Sequence, residues 1–257
     1  MTSSKYEQLP CVDIMGTKVH ALTMEQVLDQ VHEAIVSRDS LHIGVVNAAK
    51  IVNMGRDPVL RESVESSDLV LADGAAVVMA AKVLRQPLPE RVAGIDLMFS
   101  MFERGNEYKY RVYCLGATEE VSAQVEAKLA ADYPNVILAG RRNGYYNEAD
   151  ETAIAKDIGD AKADILLVAI TSPKKENFMA KWNDTMRVPV VHGVGGSFDV
   201  MAGKVDRAPE IWQKLGMEWL YRVKQEPGRL WKRYLVTNTL FVYLMLKTLL
   251  GNIFKRK

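Results

Sequence analysis

Polar and glycine-rich residues follow the apolar segments of this sequence that are typical of buried strands. They are Asn47, Asp73, Gly-Ala-Thr at 116–118, Thr-Ser-Pro-Lys-Lys-Glu at 171–176 and Gly-Val-Gly-Gly-Ser-Phe-Asp at 193–199. These side chains include a carboxylate that can take up a proton and lysines that can pair with an anion. Because ligands of parallel α/β sheets bind beyond the carboxyl ends of the strands, we expect these segments to outline one crevice.

Three glycines, Gly193, Gly195 and Gly196, follow the last of these strand patterns. Glycine lets backbone N–H groups approach a bound ligand closely at the end of a strand. A tight strand-to-helix turn without a ligand would use the same residues. The glycines by themselves leave both interpretations open. The segment ends at Arg207-Ala-Pro, and Pro209 suits the first turn of a new helix.

Alternating strand and helix patterns predict the elements that must position these residues. Thr23 is predicted to cap a first helix, with Glu25 and Gln26 in its first turn. Further helical patterns cover 119–134 and 148–162. This alternation predicts an α/β fold with a Rossmann-like, mostly parallel sheet and helices on both faces. The predicted strands lie at 41–48, 68–73, 110–117, 135–142, 163–170 and 188–196, with a hairpin around Gly16 within 12–22.

The composition is ordinary for a soluble globular protein, with 48% hydrophobic and 25% charged residues in 257. The net charge of +1 would not attract nucleic acid, so we expect no nucleic-acid partner. Cys11 and Cys114 lie far apart without metal-ligand spacing, and the N-terminal MTSSKYEQLP lacks the apolar core of a signal peptide. These features predict a reduced, cytoplasmic compartment.

The composition changes after residue 200, so we expect an α/β core at 1–200 and a helical appendage, or tail, at 201–257. The appendage is rich in tryptophan and arginine. Pro227-Gly228 is predicted to end a helix that contains WQKLGMEWLYRVKQ.

The last part of the appendage is apolar at 240–246 and ends in Lys255-Arg256-Lys257. This apolar stretch is far shorter than the roughly 20 residues that span a bilayer. Apolar residues flanked by basic ones favour a helix that lies in the membrane interface. A buried C-terminal helix and a contact in a homo-oligomer are the alternatives.

Five blocks of sequence occur in order and are together more specific than any one of them. On these blocks the chain resembles the WecG/TagA/CpsF glycosyltransferases (glycosyltransferase family 26) over most of its length. The resemblance implies a Rossmann-like core and an appendage that completes the active site and contacts the membrane. The blocks are NAAKIV at 47–52, ADGAAVVMAAKVL at 72–84, RVAGIDLM at 91–98, GVGGSFDVMAGKVDRAP at 193–209 and GMEWLYRVKQEPGRLWKRY at 216–234.

The resemblance also implies an activity. Members of this family move a sugar from a UDP-sugar donor to an undecaprenyl-diphosphate-linked acceptor, with inversion and without a metal or another cofactor. The reaction belongs to bacterial surface polysaccharide, exopolysaccharide or teichoic-acid synthesis. We therefore expect a peripheral enzyme at the cytoplasmic face of the inner membrane. Its partners would be the donor, the lipid-linked acceptor and the membrane surface.

Inverting sugar transfer needs a base for the acceptor hydroxyl. Asp73 ends a predicted strand and precedes a glycine, so its carboxylate can face the crevice. The resemblance implies that Asp73 is this base, while an Asp-Gly turn is the structural alternative. Arg91 matches a family arginine near the active site, and Asp96 can pair with it or cap the next helix.

The reaction also needs positive charge on the departing diphosphate. The chain contains no Asp-x-Asp, the usual carboxylate pair that holds a metal there. The resemblance places the tail arginines Arg222, Arg229 and Arg233 over the nucleotide, and guanidinium groups suit phosphate oxygens. A basic patch for lipid head groups is the alternative. We expect Asn47 and the glycines to contact substrate, and Asp199 to cap the following helix or to hydrogen-bond the ribose or uracil.

Two residues depart from the family pattern. Val45 stands where many members have threonine, and Lys175 stands where many have the glutamine of Pro-x-Gln-Glu. That glutamine is thought to contact substrate, so Lys175 is a candidate for binding a phosphate or a uronate carboxylate. The donor sugar is left open between N-acetylmannosamine, its uronate, and glucose or another hexose.

Two other classes of protein fit parts of the pattern. A non-catalytic, nucleotide-binding scaffold subunit of a polysaccharide-assembly complex would use the same tail. A free carboxylate at Asp73, near an anionic diphosphate, gives such a binder no advantage. A Rossmann oxidoreductase is disfavoured, because no Gly-x-Gly-x-x-Gly follows the first strand.

Overall fold

The computed structural model describes residues 5–254, except for the side chains of Lys214, Arg229 and residues 252–254. Its strands are β1 (Cys11–Ile14), β2 (Thr17–His20), β3 (Leu41–Val46), β4 (Leu69–Ala72), β5 (Arg111–Gly116), β6 (Ile137–Arg142), β7 (Ile165–Ala169) and β8 (Val190–Gly193). Its helices in the first half are α1 (Met24–Ser37), α2 (Ala48–Met54), α3 (Pro58–Glu65), α4 (Ala75–Val83), α5 (Gly94–Tyr108) and α6 (Glu119–Asp132). Those in the second half are α7 (Glu151–Asp160), α8 (Lys174–Met186), α9 (Ser197–Met201), α10 (Glu210–Lys214), α11 (Glu218–Gln225) and α12 (Pro227–Phe254).

Six strands form one parallel sheet in the order β4-β3-β8-β7-β5-β6. Strands β5, β7 and β8 are almost wholly buried, as expected where helices cover both faces of a parallel sheet. The predicted parallel sheet and all six of its strands are confirmed. Each predicted segment contains the observed strand and exceeds it by up to a few residues at the ends.

Helices pack on both faces of the sheet. One face carries a core that includes α1, α5 and α6, and the other face is covered by α2, α3 and α4 at one end and by α7 and α8 at the other. Thr23 caps α1 as predicted, and its side chain and that of Gln26 form a reciprocal capping box.

The predicted hairpin around Gly16 is confirmed as β1 and β2, which pair antiparallel. It protects the edge of the sheet, because the backbone N–H of Val70 in β4 donates to His20 Nδ1 at 3.0 Å. His20 is buried, and burial lowers its pKa. A covered edge strand cannot pair with a strand of another chain.

The helix predicted over WQKLGMEWLYRVKQ is wrong in one respect, because it is two helices, α10 and α11. Gly216, with φ of +70°, ends α10 in a left-handed turn. The N–H of Met217 donates to Trp212 O, and that of Gly216 donates to Gln213 O, which is the Schellman arrangement of a helix end. The break predicted at Pro227 is confirmed, since α11 ends at Gln225 and α12 begins with this proline.

Helix α12 packs against α2, and Phe241 is its buried anchor in the core beneath α2 and α4. The segment Leu230–Gly251 has 22 residues and a mean hydropathy of 1.3, so its length and composition would suffice to cross a membrane. Polar residues on both sides of the apolar stretch 240–246 do not interrupt the helix. Much of its surface is apolar and exposed, at Leu235, Val236, Val242, Tyr243, Leu246 and Leu250.

Candidate active site

The candidate residues follow four strands that are neighbours in the sheet. Asp73 follows β4, Asn47 follows β3, the glycine segment begins at the end of β8, and Lys175 lies in the first turn of the helix after β7. Parallel strands place all four carboxyl ends at one edge of the sheet. The expectation that these segments share one edge is confirmed. The Gly-Ala-Thr at 116–118 begins at the last residue of β5, the next strand along.

The Asp73 carboxylate is held from two sides. Its Oδ1 accepts a hydrogen bond from the backbone N–H of Gly94 at 2.9 Å, and its Oδ2 accepts one from Asn47 Nδ2 at 3.4 Å. Asn47 caps α2 at the same time, because its Oδ1 accepts from the N–H of Lys50 at 3.0 Å. The side chain of Asp73 is partly exposed. Each carboxylate oxygen has a second lone pair, so a substrate hydroxyl can still be bound.

Gly94 is positioned by a buried histidine. His192 in β8 is fully buried, and its Nδ1 and Nε2 lie 3.2 Å from Ile43 O and Gly94 O respectively. Burial lowers the pKa of His192, which favours a neutral ring. A neutral imidazole has a single N–H, so His192 donates to one of these carbonyls and packs against the other, between β3 and the start of α5, where the N–H that binds Asp73 lies.

Arg91 lies beside the end of β4, to which its neighbour Val92 is hydrogen-bonded, and it pairs with two carboxylates. The N–H of the next residue, Val92, donates to the carbonyl of Ala72, the residue before Asp73. The guanidinium of Arg91 lies 3.2 Å from Asp96 Oδ2 and 3.2 Å from Glu218 Oε2.

Asp96 connects this pair to the start of the tail. It lies in the first turn of α5, and its side chain pairs with Arg91 rather than capping the helix, whose N-cap is Ala93. Its other oxygen contacts Arg207, which follows α9. Arg91 and Asp96 are therefore part of a charge network that reaches from the core to the tail.

Lys175 lies in a buried charge cluster. Its Nζ is 3.3 Å from Glu176 Oε1, and the Nζ of Lys50 in α2 is 3.7 Å from the same oxygen. Burial and the nearby charge of Lys175 lower the pKa of Lys50 to about 8, although Glu176 and Asp73 oppose this shift. Gly193 allows Lys175 to approach β8, because a Cβ on Gly193 would lie 2.9 Å from Lys175 Cε.

The glycine segment after β8 turns sharply into α9. Gly195 has φ of +55°, a left-handed conformation that glycine adopts at little cost, and Gly196 precedes the helix as its N-cap. The expectation that Asp199 caps the following helix is wrong. Asp199 lies inside α9, and the described residues contain no side-chain cap at the start of α9 or α10. Its backbone carbonyl instead accepts from the N–H of Lys204.

The tail reaches the Asp73 loop through the turn between α10 and α11. Gly216 lies against Ala75, since a Cβ on this glycine would be 2.8 Å from the Cβ of Ala75. Arg222 in α11 is half exposed and pairs with Glu218 at 3.2 Å. Arg233 in α12 is exposed. The side chain of Arg229 lies outside the described residues.

Four residues of these networks were not singled out from the sequence. Lys50, Glu176, Arg207 and Glu218 all lie in or beside the motifs that were, but they gave no chemical signal of their own. Their roles depend on contacts between segments that are distant along the chain. A charged residue directly beside a candidate ligand-binding residue was the one available signal, as for Glu176 beside Lys175.

These features define a Rossmann-like α/β protein whose candidate site residues lie at the carboxyl edge of a parallel sheet and are approached by a helical tail. Residues 12–254 match the Glycosyl transferase WecG/TagA/CpsF family. The chain belongs to this family and is a glycosyltransferase. The resemblance drawn from the sequence blocks is thereby confirmed.

Two relatives carry the same descriptive name, N-acetylglucosaminyldiphosphoundecaprenol N-acetyl-beta-D-mannosaminyltransferase. The protein from Bacillus spizizenii (strain ATCC 23059 / NRRL B-14472 / W23) is 35% identical over 180 residues, which cover 70% of this chain and 69% of the relative. The protein from Bacillus subtilis (strain 168) is 38% identical over 170 residues, which cover 66% of this chain and 65% of the relative. The matched regions thus span about two thirds of these curated relatives.

Proposed function

We propose that this protein transfers a sugar from a UDP-sugar to an undecaprenyl-diphosphate-linked acceptor, with inversion at the sugar. The names of the two relatives support an acceptor of this kind. The sugar of the donor is N-acetylmannosamine, its uronate, or glucose or another hexose. The product would enter surface polysaccharide, exopolysaccharide or teichoic-acid synthesis.

The observation that carries the proposal is the placement of Asp73. Its carboxylate lies at the carboxyl edge of the sheet, is oriented by Asn47 and Gly94, and adjoins the loop that the tail contacts through Gly216. An oriented, partly exposed carboxylate at the carboxyl edge of a parallel sheet suits a general base. In the proposed reaction Asp73 takes the proton of the acceptor hydroxyl as the oxygen attacks the sugar carbon, and UDP leaves with the bonding electrons.

Positive charge on the leaving UDP is assigned to arginines. Arg91 is the contribution of the core, and Arg222, Arg229 and Arg233 are those of the tail. Because Glu218 contacts both Arg91 and Arg222, it brings two of these guanidinium groups together. We propose that these arginines take the place of a metal on the diphosphate. The segment with Gly193, Gly195, Gly196 and Asp199 receives the nucleoside, and Asp199 is a candidate for a hydrogen bond to the ribose or uracil.

The appendage, 201–257, is proposed to hold the enzyme on the cytoplasmic face of the bacterial inner membrane. Phe241 fixes one face of α12 on α2, which supports a helix that lies along the protein with its other face toward lipid. The core would then be 1–200. A homo-oligomer that covers the same face is an alternative state in the absence of membrane.

The test is UDP release from a panel of UDP-sugars, with a short polyprenyl-diphosphate-linked sugar as acceptor. We expect acceptor-dependent release with one donor, and a loss of about 100- to 10,000-fold in the Asp73→Asn variant. Asp132→Asn, at an exposed position at the end of α6, is the matched control and should keep full activity. UDP binding without release from any donor, with every acceptor offered, would favour the non-catalytic scaffold.

A further inference from the structure

A cavity lies on one face of the sheet, beside the candidate active site. It has a volume of about 200 Å³ and lies between β3, β8, α3 and α8. At the active-site end it is lined by Lys50, Lys175, Glu176 and Gly193. Liquid water occupies about 30 Å³ per molecule, so the space suits several waters or one polar group of a ligand.

The cavity contains two buried cations that share one carboxylate. The side chains of Lys50 and Lys175 are 16% and 11% exposed, and both lie within 4 Å of Glu176 Oε1. Asp73 acts on Lys50 from a longer distance and offsets part of its charge, because the Asn47 and Gly94 donors that bind Asp73 are neutral. A buried charge is costly unless it is paired. Within ion-pair distance the two lysines share the single carboxylate of Glu176, so an anionic group of a ligand in the cavity can pair with them as well.

The carboxylate of Glu176 is also incompletely bonded. It is 5% exposed, and among the described residues neither of its oxygens accepts a hydrogen bond of good geometry. Buried carboxylate oxygens normally have hydrogen-bond donors. A ligand with hydroxyl groups next to an anionic group would supply what both the lysines and Glu176 lack.

We propose that Lys50, Lys175 and Glu176 form a recognition site for an anionic oxygen group of the sugar nucleotide. The group is either the carboxylate of an acidic sugar, with its ring hydroxyls donating to Glu176, or a phosphate. The proposal rests on the proposed function for the identity of the ligand. It adds a further point of recognition of the sugar-nucleotide donor to the arginines and the glycine segment, and it assigns donor specificity to Lys175.

The protonation of Lys50 follows from the same geometry. The groups that act on it are Lys175, Glu176 and Asp73, and its pKa of about 8 lies near neutrality. An anion bound beside Lys50 favours the charged amine. Binding at pH 8 should therefore take up protons, and affinity should fall as the pH rises above 8. Both effects should disappear in the Lys50→Gln variant.

The test is titration calorimetry with UDP, UDP-glucose and UDP-glucuronate. Lys175→Gln is the main variant, Lys50→Gln is the second, and Lys128→Gln, an exposed lysine of α6, is the control. Loss of a charged hydrogen bond should weaken binding by about tenfold or more. A loss confined to UDP-glucuronate identifies a sugar carboxylate, and an equal loss for all three ligands identifies a phosphate. Unchanged affinities in both variants would overturn the proposal.

A second measurement does not depend on the enzymatic activity. Thermal unfolding is followed with inorganic phosphate and with free glucuronate, and we expect stabilisation by at least one of them in the wild type and in Lys128→Gln but not in Lys175→Gln. Stabilisation of this kind without sugar transfer would count against the proposed function alone. The anion site does not exist if neither anion stabilises the wild type and the affinity for none of the three nucleotides falls in Lys175→Gln.

Discussion

Arg91 of the core and Glu218 of the tail lie 3.2 Å apart, and this pair attaches the tail near the end of β4, the strand that Asp73 follows. The side chains are 21% and 18% exposed, so solvent screens the pair less than it would a surface ion pair. Asp96 completes the arrangement by binding Arg91 and Arg207. Glu218 thus holds Arg91 through one oxygen and Arg222 through the other.

Replacing Glu218 by Gln should loosen the tail and misplace both guanidinium groups. We expect kcat to fall by about tenfold, with a smaller change in KM, and α11 to lose protection in hydrogen exchange. Glu62→Gln, at an exposed position of α3, is the control. Unchanged hydrogen exchange in α11 would show that the ion pair between Arg91 and Glu218 does not hold the tail.

Asn47 should have a role in activity that its capping role does not explain. Removing either N-cap, by Asn47→Ala or Thr23→Ala, should cost about 1 kcal/mol of stability. Only Asn47→Ala also removes a donor to Asp73, so only this variant should lose activity, by about tenfold or more. The measurement is a urea unfolding curve and a UDP-release assay on both variants. Equal activity in the two would limit Asn47 to capping α2.

Phe241 should be the main attachment of α12 to the core. The Phe241→Ala variant should lose about 3 to 5 kcal/mol of stability, or release α12 without global unfolding, because the ring fills a buried site. Val242→Ala, on the neighbouring and exposed residue, should have little effect. Limited proteolysis between α11 and α12 distinguishes release of the helix from unfolding of the chain. Resistance equal to that of the wild type would contradict this attachment.

The exposed apolar face of α12 should bind lipid. Substituting Leu246 and Leu250 by Glu should reduce cosedimentation with vesicles that contain anionic lipid, because each change places a charge where an apolar side chain would enter the interface. Val59→Glu, at an exposed position of α3, is the control for added negative charge. Equal vesicle binding by all variants would indicate that another surface binds lipid. A changed oligomeric state in the Leu246 and Leu250 variant would instead support a homo-oligomer contact through α12.

The stability of the ligand-free protein should depend on Lys50 at alkaline pH. The folded-state pKa of about 8 is below the ordinary value of 10.5, so between these values the unfolded chain binds more protons. Stability contributed by this group should therefore increase as the pH rises from 8 to 10.5, by about 1 to 3 kcal/mol. Urea unfolding of the wild type and Lys50→Gln across this range measures it. If the free energy of unfolding of the two proteins changed with pH in the same way, this would contradict the lowered pKa of Lys50.

The alternation of apolar and amphipathic segments predicted the strands and helices of the core well. Buried parallel strands are continuous apolar runs with clear ends, so 110–117 and 163–170 contain β5 and β7 with few extra residues. The helix ends of the tail were harder to predict from the sequence, because one glycine inside an apolar helical pattern is tolerated in some helices and ends others. At Gly216 the close contact with Ala75 and the Schellman hydrogen bonds favour an end.

The sequence by itself determined the fold class, the family and the positions of Asp73, Asn47 and Lys175 after their strands, because local patterns and motifs encode these properties. Only the tertiary structure decided which charges meet. Lys50 shares Glu176 with Lys175, and Glu218 joins Arg91, through contacts between segments up to 127 residues apart. The strand order β4-β3-β8-β7 brings these segments to one edge, and no local spacing in the chain encodes that order.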